Sequence, residues 1–248
     1  MSVMLYIGNP VKSKDEAVKR SMSEGRIGCM VTPAQGNPIP KNALWAADNG
    51  RFGKGWPGYE GWFTWLGRMA REAPPGDCLF ASAPDVVGDA EATLAESSPW
   101  LQGIRWLGIP AAFVAQNGSE RGDLIPWGKF DVLFIGGTTE CPPCRYIRPA
   151  TEDENKRKTC PFCGGRLLEW KLGPGAALVT GEALRRGLPV HMGRVNSQVR
   201  LKYAVDLGCT TVDGTYLKFA PDKNLPKLIA WHNNIGLDNF TREPRRSS

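Results

Sequence analysis

Eight short runs of apolar residues, most of them separated by amphipathic stretches, constrain the fold of this chain more than any other feature. The runs are continuous rather than alternating, which is typical of strands in a parallel sheet with both faces covered. They fall at 3–7, 27–31, 43–47, 78–82, 111–115, 132–135, 189–192 and 209–212.

Helical patterns lie between most of these runs. They occupy 14–23, 59–71, 89–94 with a continuation near 99–106, 175–186 and 196–207. Eight β/α repeats in 248 residues predict an α/β fold, a small (β/α)8 TIM barrel, with an open doubly wound sheet as the alternative. We expect one barrel domain over 1–248, an insertion at 140–169 and a peripheral C-terminal extension at 219–248.

The composition excludes several classes of protein. A hydrophobic fraction of 42% and a charged fraction of 23% are typical of an ordered globular chain. No apolar run approaches the ~20 residues that cross a bilayer, and the N-terminus lacks the regions of a signal peptide. We therefore expect a cytoplasmic protein with reduced cysteines and no membrane partner.

Two Cys-x2-Cys pairs, CPPC and CPFC, interrupt the barrel pattern between the sixth and seventh predicted strands. Four thiolates can surround one tetrahedral ion at ~2.3 Å and leave no position for water. The spacing predicts one structural Zn2+, with a redox or iron–sulfur site as the alternative, and no redox cofactor is expected. The predicted ligands are Cys141, Cys144, Cys160 and Cys163.

Basic residues permit a polyanionic partner, since the net charge is +6 and the pI is near 9.0. Arg145, Arg148 and the basic run 156–158 flank the cysteines, so the ribbon either stiffens a loop or presents cations to a phosphate backbone. Further basic residues group at 194–202 and in the tail, at Arg242, Arg245 and Arg246. The alternative for each group is a solvated face.

The stretch 191–215 reads as strand, loop, helix and strand, and it ends on an acid. Asn196 or Ser197 can cap the helix, and Gly208 stands where a C-terminal glycine is favoured. Apolar residues recur four apart at Val199, Tyr203 and Leu207. Asp213 then follows the last strand, either as a site residue or as the cap of the next turn.

In a barrel, the carboxyl ends of all strands meet on one face. Polar or glycine residues follow most of the predicted strands, at 48–52, Asp85, Asp89, 116–118, 136–137, 191–194 and Asp213. This set predicts a pocket for a polar heterocycle, in which carboxylates accept from ring N–H groups and backbone N–H groups donate to a carbonyl. One carboxylate would act as a nucleophile. For Asp89, the alternative is a helix cap.

The ordered motifs DNGRF, VAQNG, FIGG, HMGR and VDGT, with an acid after the fourth strand, resemble the tRNA-guanine transglycosylase superfamily. They are more closely similar to its phage-encoded branch, which inserts 7-deazaguanines into DNA. The resemblance runs from about residue 3 to 216 and implies Asp213 as nucleophile and Asp48 as acid or base. It implies base recognition by Asp85, Gln116, Gly136 and Gly137, and a pocket wall of His191, Met192 and Gly193.

The chain departs from the tRNA enzymes in several ways, and two of them, its length of 248 residues and its lack of added RNA-binding domains, favour DNA over tRNA. Asn49, Gly50 and Arg51 replace part of the DSGGFQ-type motif, whose glycines are paired. The zinc ligands of the bacterial enzymes follow the nucleophile and include a histidine, whereas these four are all cysteines and precede it. The chain also lacks the added RNA-binding domains of archaeal relatives.

The resemblance implies exchange of guanine in DNA for a free 7-deazaguanine, such as 7-cyano-7-deazaguanine (preQ0), in the host cytoplasm if the chain is phage-encoded. The alternatives are the same chemistry on tRNA and a non-catalytic zinc-ribbon protein that binds nucleic acid. Expected nucleic-acid contacts are Arg51, Arg194, Arg145 and Arg148. Trp56, Trp62 and Trp65 either stack on bases or pack in the core.

Overall fold

The computed structural model describes residues 5–8, 15–35, 38–73, 75–149 and 158–235. Several predicted features lie outside these ranges. They are the start of the first predicted strand at residue 3, the start of the first predicted helix at residue 14, the basic residues 156–157 and the arginines of the tail. The strands are β1 (Leu5–Gly8), β2 (Gly28–Val31), β3 (Trp45–Ala47), β4 (Cys78–Ser82), β5 (Ala111–Ala115), β6 (Val132–Ile135), β7 (Thr139–Glu140), β8 (Leu168–Glu169), β9 (Val190–Met192) and β10 (Thr211–Gly214). The helices are α1 (Glu16–Ser23), α2 (Gly58–Glu72), α3 (Ala90–Trp106), α4 (Pro174–Arg185), α5 (Gln198–Leu207) and α6 (Pro221–Asn234).

Eight of these strands form a closed parallel barrel in the order β1-β10-β9-β6-β5-β4-β3-β2. The barrel closes where β1 pairs with β10, with Ile7 opposite Asp213. Strands β6 and β9 are neighbours although the cysteine-rich insertion separates them in the sequence. The predicted TIM barrel is confirmed, and the open sheet is excluded by this closure.

The pleat of each strand divides its side chains between two layers, because neighbours point to opposite faces. Ile7, Met30 and Phe80 belong to a cluster that fills the barrel interior. Their neighbours Tyr6, Cys29 and Val31 belong to a larger cluster shared with the helices. This alternation decides which strand residues can reach the mouth of the barrel.

The helical layer departs from eight regular repeats. The described parts of the connections after β2 and β5 contain turns and no helix. Helix α3 is continuous through Pro99, and the Asp89 side chain caps it by accepting from the Ala92 N–H at 2.9 Å. The capping alternative for Asp89 is therefore correct.

The described part of the predicted C-terminal extension, up to residue 235, packs against the helical layer of the barrel. Helix α6 follows β10, packs against α1 and α5, and buries Leu225 and Leu228. It thus completes the helical layer beside the closing strand pair.

Helix α5 has its predicted ends, whereas its predicted apolar face is only partly covered, with Tyr203 and Leu207 packed against the core. The Ser197 hydroxyl accepts from the Arg200 N–H, and Gly208 ends the helix with φ of +92°. Val199, however, is 79% exposed, whereas Leu201 and Ala204 are buried. Both stripes of this short helix are apolar, so periodicity alone does not choose between them.

Tryptophan packing agrees with a core role for Trp56, Trp62 and Trp65. Trp62 is fully buried, and Trp56 and Trp65 are partly buried against the main core. None of the helices in the described part of the chain is long and apolar enough to cross a membrane.

Candidate functional site

Two similar turns bring the four predicted cysteine ligands together beside the barrel. In the first, the Arg145 N–H donates to the Cys141 carbonyl at 2.7 Å, and in the second Gly164 donates to Cys160 at 3.0 Å. The residue after the second cysteine of each pair has positive φ, +59° for Arg145 and +70° for Gly164. The two turns thus present their thiols to each other in the same way.

The sulfur geometry suits a metal ion. All four Sγ atoms lie within 4.8 Å of one another, and three of the pairs are separated by 3.4 to 3.5 Å. A tetrahedral ion with bonds of ~2.3 Å requires sulfur separations of about 3.8 Å. The predicted cluster is therefore confirmed as one that could bind a single metal ion, with Cys141 and Cys160 buried and Cys144 and Cys163 exposed.

The arginines near the cluster occupy different environments. Arg145 is exposed. Arg148 is only 3% exposed and donates to the Thr139 hydroxyl. Of this pair, Arg145 is the one whose side chain lies on the surface.

A cavity of about 260 Å3 opens at the carboxyl ends of the strands. Its size is near the lower limit of ligand pockets, ~300 Å3, which suits one small heterocycle. Residues from seven strand exits line it, together with one residue from the segment after the ribbon. They include Asp48, Asn49, Phe52, Asp85, Gln116, Gly136, Gly137, Lys171, Gly193, Arg194 and Asp213.

The carboxylate of Asp213 is held on one oxygen. Its Oδ1 lies 3.1 Å from His191 Nε2 and accepts from the Arg194 N–H at 3.2 Å. Both hydrogen bonds that the described residues make to this carboxylate end on Oδ1, so Oδ2 remains available to a substrate. Asp213 therefore does not cap the turn that follows it.

His191 supports Asp213 from inside the barrel. It is fully buried, with the Phe80 and Phe134 rings at centroid distances of 4.8 and 4.4 Å. An ionised carboxylate only accepts, so Nε2 carries the proton in this pair. In a neutral ring Nδ1 then accepts, and the Thr211 hydroxyl at 2.8 Å is placed to donate to it.

His191, Met192 and Gly193, which are expected to form one wall of the pocket, lie in three different environments. His191 lies below the cavity, and Met192 points outward into the layer beneath the helices. Gly193 alone lines the cavity, and a Cβ there would lie 2.7 Å from Phe134 Cε2 and 3.2 Å from Asp213 Oδ1. The correction follows from strand alternation, because consecutive side chains cannot share a face.

Asp48 has the electrostatics of a proton-transfer group. Burial raises its pKa above the ordinary value, and the negative charge of Asp213 adds to this. A hydrogen bond from the Gly50 N–H to Oδ1 at 3.1 Å opposes the shift, as does the nearby charge of Arg194. Proton transfer is most effective when the pKa of the group approaches the working pH.

Asp85 lies deeper, in a network of amides. Burial raises its pKa to about 7, although hydrogen bonds from Asn49 and Gln116 oppose the shift. Asn49 Nδ2 donates to Oδ1 at 2.9 Å, and Gln116 Nε2 donates to Oδ2 at 2.6 Å. Two amides thus fix the orientation of this carboxyl group at the cavity wall.

The glycine pair after β6 does not offer free backbone donors. The Gly136 N–H donates to the Ala115 carbonyl at 3.0 Å, and the Gly137 N–H donates to Gln116 Oε1 at 3.0 Å. What these glycines supply is space, since a Cβ on Gly136 would lie 2.8 Å from Val114 Cγ1. Gly137 has φ of +82°, and a Cβ on it would lie 2.6 Å from Trp170. The expectation of free N–H groups here is therefore wrong.

Arg51 and Arg194 lie at the mouth of the barrel. Arg51 donates to the Asp85 carbonyl at 3.1 Å, pairs with Glu96 at 3.1 Å and covers the Tyr59 ring. Arg194 is exposed, lines the cavity and has φ of +60°. Base or phosphate contact by either arginine stays a prediction.

Sequence reasoning gave no separate role to Asn49 and Phe52 and did not find Lys171, although all three line the cavity. Asn49 and Phe52, the latter 51% exposed, lie inside the DNGRF motif that pointed to Asp48. Lys171 is 5% exposed, and its Nζ donates to the Gly193 carbonyl at 3.0 Å and lies 3.6 Å from Glu169. Burial lowers the pKa of Lys171. It follows the ribbon rather than a barrel strand, so inspection of strand exits does not find it.

Comparisons with known proteins support the fold. No family model matches the chain, and no curated protein matches it. Among solved structures, a ligand-free mutant form of tryptophan synthase from M. tuberculosis has a TM-score of 0.50 and 12% identity, covering 95% of this chain and 93% of that chain. The native KDPGal structure has a TM-score of 0.50 and 10% identity, and the match covers 94% of this chain and 93% of that chain.

A further solved structure, the Amycolatopsis orientalis BexX/CysO complex, has a TM-score of 0.50 and 12% identity. It covers all of this chain and 95% of that chain. At such identities, these likenesses establish the barrel fold alone. The chemistry must be argued from the cavity.

Proposed function

We propose that this chain is an enzyme, a DNA guanine transglycosylase that exchanges guanine in DNA for a free 7-deazaguanine. One observation carries the proposal: Asp213, Asp48 and Asp85 line a single cavity of about 260 Å3 at the barrel mouth. The resemblance of the strand-end motifs to the tRNA-guanine transglycosylase superfamily supports the same assignment. Each of the three carboxyl groups has a different environment and therefore a different task.

Asp213 is the proposed nucleophile. One of its oxygens attacks C1′ of a 2′-deoxyguanosine, the C1′–N9 bond breaks, and the electron pair of that bond leaves with guanine. His191 and the Arg194 N–H hold Oδ1, so Oδ2 is the attacking atom. The sugar remains attached to the protein as a glycosyl–aspartate.

Asp48 is the proposed proton shuttle. Guanine leaves poorly as an anion, and a carboxyl group whose pKa is raised by burial can give it a proton. The incoming base then returns a proton to Asp48 as its N9 attacks C1′ and releases Asp213. Two inversions at C1′ retain the configuration, as in retaining glycosidases.

The shuttle acts on the edge of the base that carries N3 and N9. A single acid must serve both the departing guanine and the entering 7-deazaguanine. The latter has carbon in place of N7, so the proton cannot pass through that position in both directions. We therefore place Asp48 beside the N3 edge.

Asp85 is the proposed acceptor for the donor groups of the base. An ionised carboxylate offers about four lone pairs, and the Asn49 and Gln116 amides occupy two of them. The remaining two suit the N1–H and 2-amino groups of a guanine ring. Gln116 Oε1 accepts from the N–H groups of Gly88 and Gly137, so Gln116 positions Asp85 rather than reading the base through its carbonyl.

The proposed metal is one structural Zn2+ at the four cysteines. With four sulfur ligands it would have no open position for substrate, so it supplies no step of the reaction. The ribbon is anchored at the cavity side, where Asn117 Nδ2 donates to Glu140 Oε2 at 2.9 Å and the Thr138 N–H donates to Asn117 Oδ1 at 2.8 Å. The metal would hold this anchored hairpin in shape.

DNA is the proposed partner, with tRNA less favoured. The target base must leave its stack at a cost of a few kcal/mol, which contacts in the cavity must offset. Phe52, half exposed at the cavity, is placed to stack on a base, and Arg51, Arg194 and Arg145 are proposed phosphate contacts. A non-catalytic zinc ribbon would need none of the three carboxyl groups at the barrel mouth.

Nucleoside analysis tests the function. Cells that produce a 7-deazaguanine would express this chain or its Asp213→Asn variant, and digested DNA and tRNA would be examined by mass spectrometry. We expect 7-deazaguanine deoxynucleosides in DNA with the unaltered chain only. Modified nucleosides confined to tRNA would transfer the proposal to tRNA, and none in either nucleic acid would remove the enzymatic proposal.

A further inference from the structure

The cavity has chemically different walls, and the barrel order fixes where they lie. In the closed order, β10 is diametrically opposite β4, and the β9–β6 pair is opposite β3 and β2. Asp213 on β10 therefore faces Asp85 after β4 across the mouth. Asp48, after β3, faces the wall formed by the exits of β9 and β6.

Lys171 is the buried cation of that wall. Its Nζ donates to the carbonyl of Gly193, which follows β9. The preceding residue, Trp170, lies against Gly137, which follows β6. Lys171 lines the cavity with both glycines, and Arg194 extends the same wall.

A guanine ring bound between Asp213 and Asp85 has only one orientation that agrees with these positions. Its N9 lies toward Asp213, and its N1–H and 2-amino groups lie toward Asp85. With the N3 edge beside Asp48, the opposite edge, which carries O6 and position 7, faces the β9–β6 wall. An ammonium group has three donors, and the Gly193 carbonyl takes one of those on Lys171.

We propose that Lys171 determines the substrate class of this site, selecting 7-deazaguanines whose 7-substituent is a neutral or anionic hydrogen-bond acceptor and rejecting those with a cationic arm. The inference rests on the proposed transglycosylase function. A nitrile or carboxamide at position 7 accepts from the ammonium group. An aminomethyl group is protonated at neutral pH, and it would place a second ammonium beside the first in a partly desolvated pocket.

The pairing of Lys171 with Glu169 does not remove this selection. Glu169 lies 3.6 Å from Nζ, and it also accepts from the Arg200 guanidinium. One carboxylate is thus shared between two cations, so the local charge at this wall stays positive. Glu169 does not line the cavity and is not placed to bind a cationic arm itself.

Competing free bases test the inference. The full chain would be given guanine-containing DNA with labelled guanine, 7-cyano-7-deazaguanine or 7-aminomethyl-7-deazaguanine, and kcat/KM for incorporation would be measured for each. We expect the cyano base to be favoured over the aminomethyl base by about tenfold or more. Lys171→Met should bring this ratio close to one, by lowering kcat/KM for the cyano base and raising kcat/KM for the aminomethyl base.

Two further variants separate selectivity from folding. Lys171→Gln keeps a donor for the Gly193 carbonyl and removes the charge, so it should also lose the preference. Lys202→Met removes an exposed lysine that pairs with Asp206 on α5 and should keep it. A merely structural role for Lys171 would lower incorporation of all three bases together and leave their ratio unchanged.

The outcomes distinguish this inference from the function on which it rests. Guanine incorporation with equal use of the cyano and aminomethyl bases, or a ratio unaltered in both Lys171 variants, overturns the role of Lys171 alone. Absence of guanine incorporation by the unaltered chain overturns the proposed function, and the inference with it.

Discussion

The imidazole Nε2 of His191 lies 3.1 Å from Oδ1 of Asp213, one strand away in the barrel. The histidine is fully buried, whereas the Asp213 side chain is 23% exposed. A buried group thus orients a carboxylate that solvent and substrate can reach. The same contact separates the two oxygens of Asp213 into one that is held and one that is available to react.

Replacement of the proposed nucleophile should abolish the covalent intermediate. Asp213→Asn keeps the size of the side chain and a carbonyl acceptor, but an amide is a far weaker nucleophile than a carboxylate. We expect no adduct with guanine-containing DNA on a denaturing gel and an unchanged thermal unfolding midpoint. An adduct formed in undiminished yield would exclude Asp213 from this role.

Removal of the orienting histidine should lower the rate more than the binding. The phenylalanine ring of His191→Phe fills the space between Phe80 and Phe134 but cannot hydrogen-bond to Asp213 Oδ1. Misplacement of a reacting group by ~1 Å can cost about 100-fold in rate. We expect kcat to fall by about tenfold to 100-fold with KM for DNA changed little. The partly buried Thr211 hydroxyl also loses its partner, at a cost of about 0.5–1.5 kcal/mol in the free energy of unfolding.

The control for this variant is Thr211→Val. It removes the hydroxyl that hydrogen-bonds to His191 Nδ1 and keeps the contact between His191 and Asp213. It should lower kcat by less than His191→Phe does. If both variants retained full kcat while losing stability, His191 would be a packing residue with no influence on the nucleophile.

The barrel and its strand-end residues could be predicted because each depends on local pattern. Continuous apolar runs identify parallel strands, and in a barrel every strand exit reaches the same face. Asp48 follows β3, Asp85 follows β4, and Asp213 lies near the end of β10. All three line one cavity. The cysteine cluster could be predicted from spacing alone.

What could not be predicted depends on contacts between distant segments. Lys171 reaches the cavity by way of the Gly193 carbonyl, 22 residues further along the chain. The N–H groups of Gly136 and Gly137 were expected to be free, but Ala115 and Gln116 accept from them. The motif 191–193 predicts one continuous surface, but strand alternation sends the Met192 side chain outward into the layer beneath the helices.

The raised pKa of Asp85 should make stability depend on pH. Its pKa is about 7 in the folded chain and ~3.9 when unfolded, so the folded state binds the extra proton between these values. The resulting stabilisation is complete below pH ~4 and is lost as pH rises through about 7, and it amounts to at most about 4 kcal/mol at 1.36 kcal/mol per pKa unit. Asp48 contributes in the same direction.

Asp85→Asn isolates this contribution, since the amide cannot ionise. Denaturant unfolding at pH 5 and pH 8 should show a larger loss of stability with rising pH in the unaltered chain than in Asp85→Asn. Parallel pH profiles for the two proteins would mean that the Asp85 carboxyl titrates alike in the folded and unfolded chain.

One zinc ion per chain should be found by elemental analysis of the purified protein, because the four Sγ atoms lie within 4.8 Å of one another. Cys163→Ser replaces a thiolate ligand by a hydroxyl and should lose the metal and lower the unfolding midpoint, since structural zinc contributes directly to folding. Cys209→Ala is the matched control: this cysteine is also unpaired but is buried outside the cluster, so its variant should keep zinc. Full zinc content in Cys163→Ser, or its loss from Cys209→Ala, would contradict the assignment of the site.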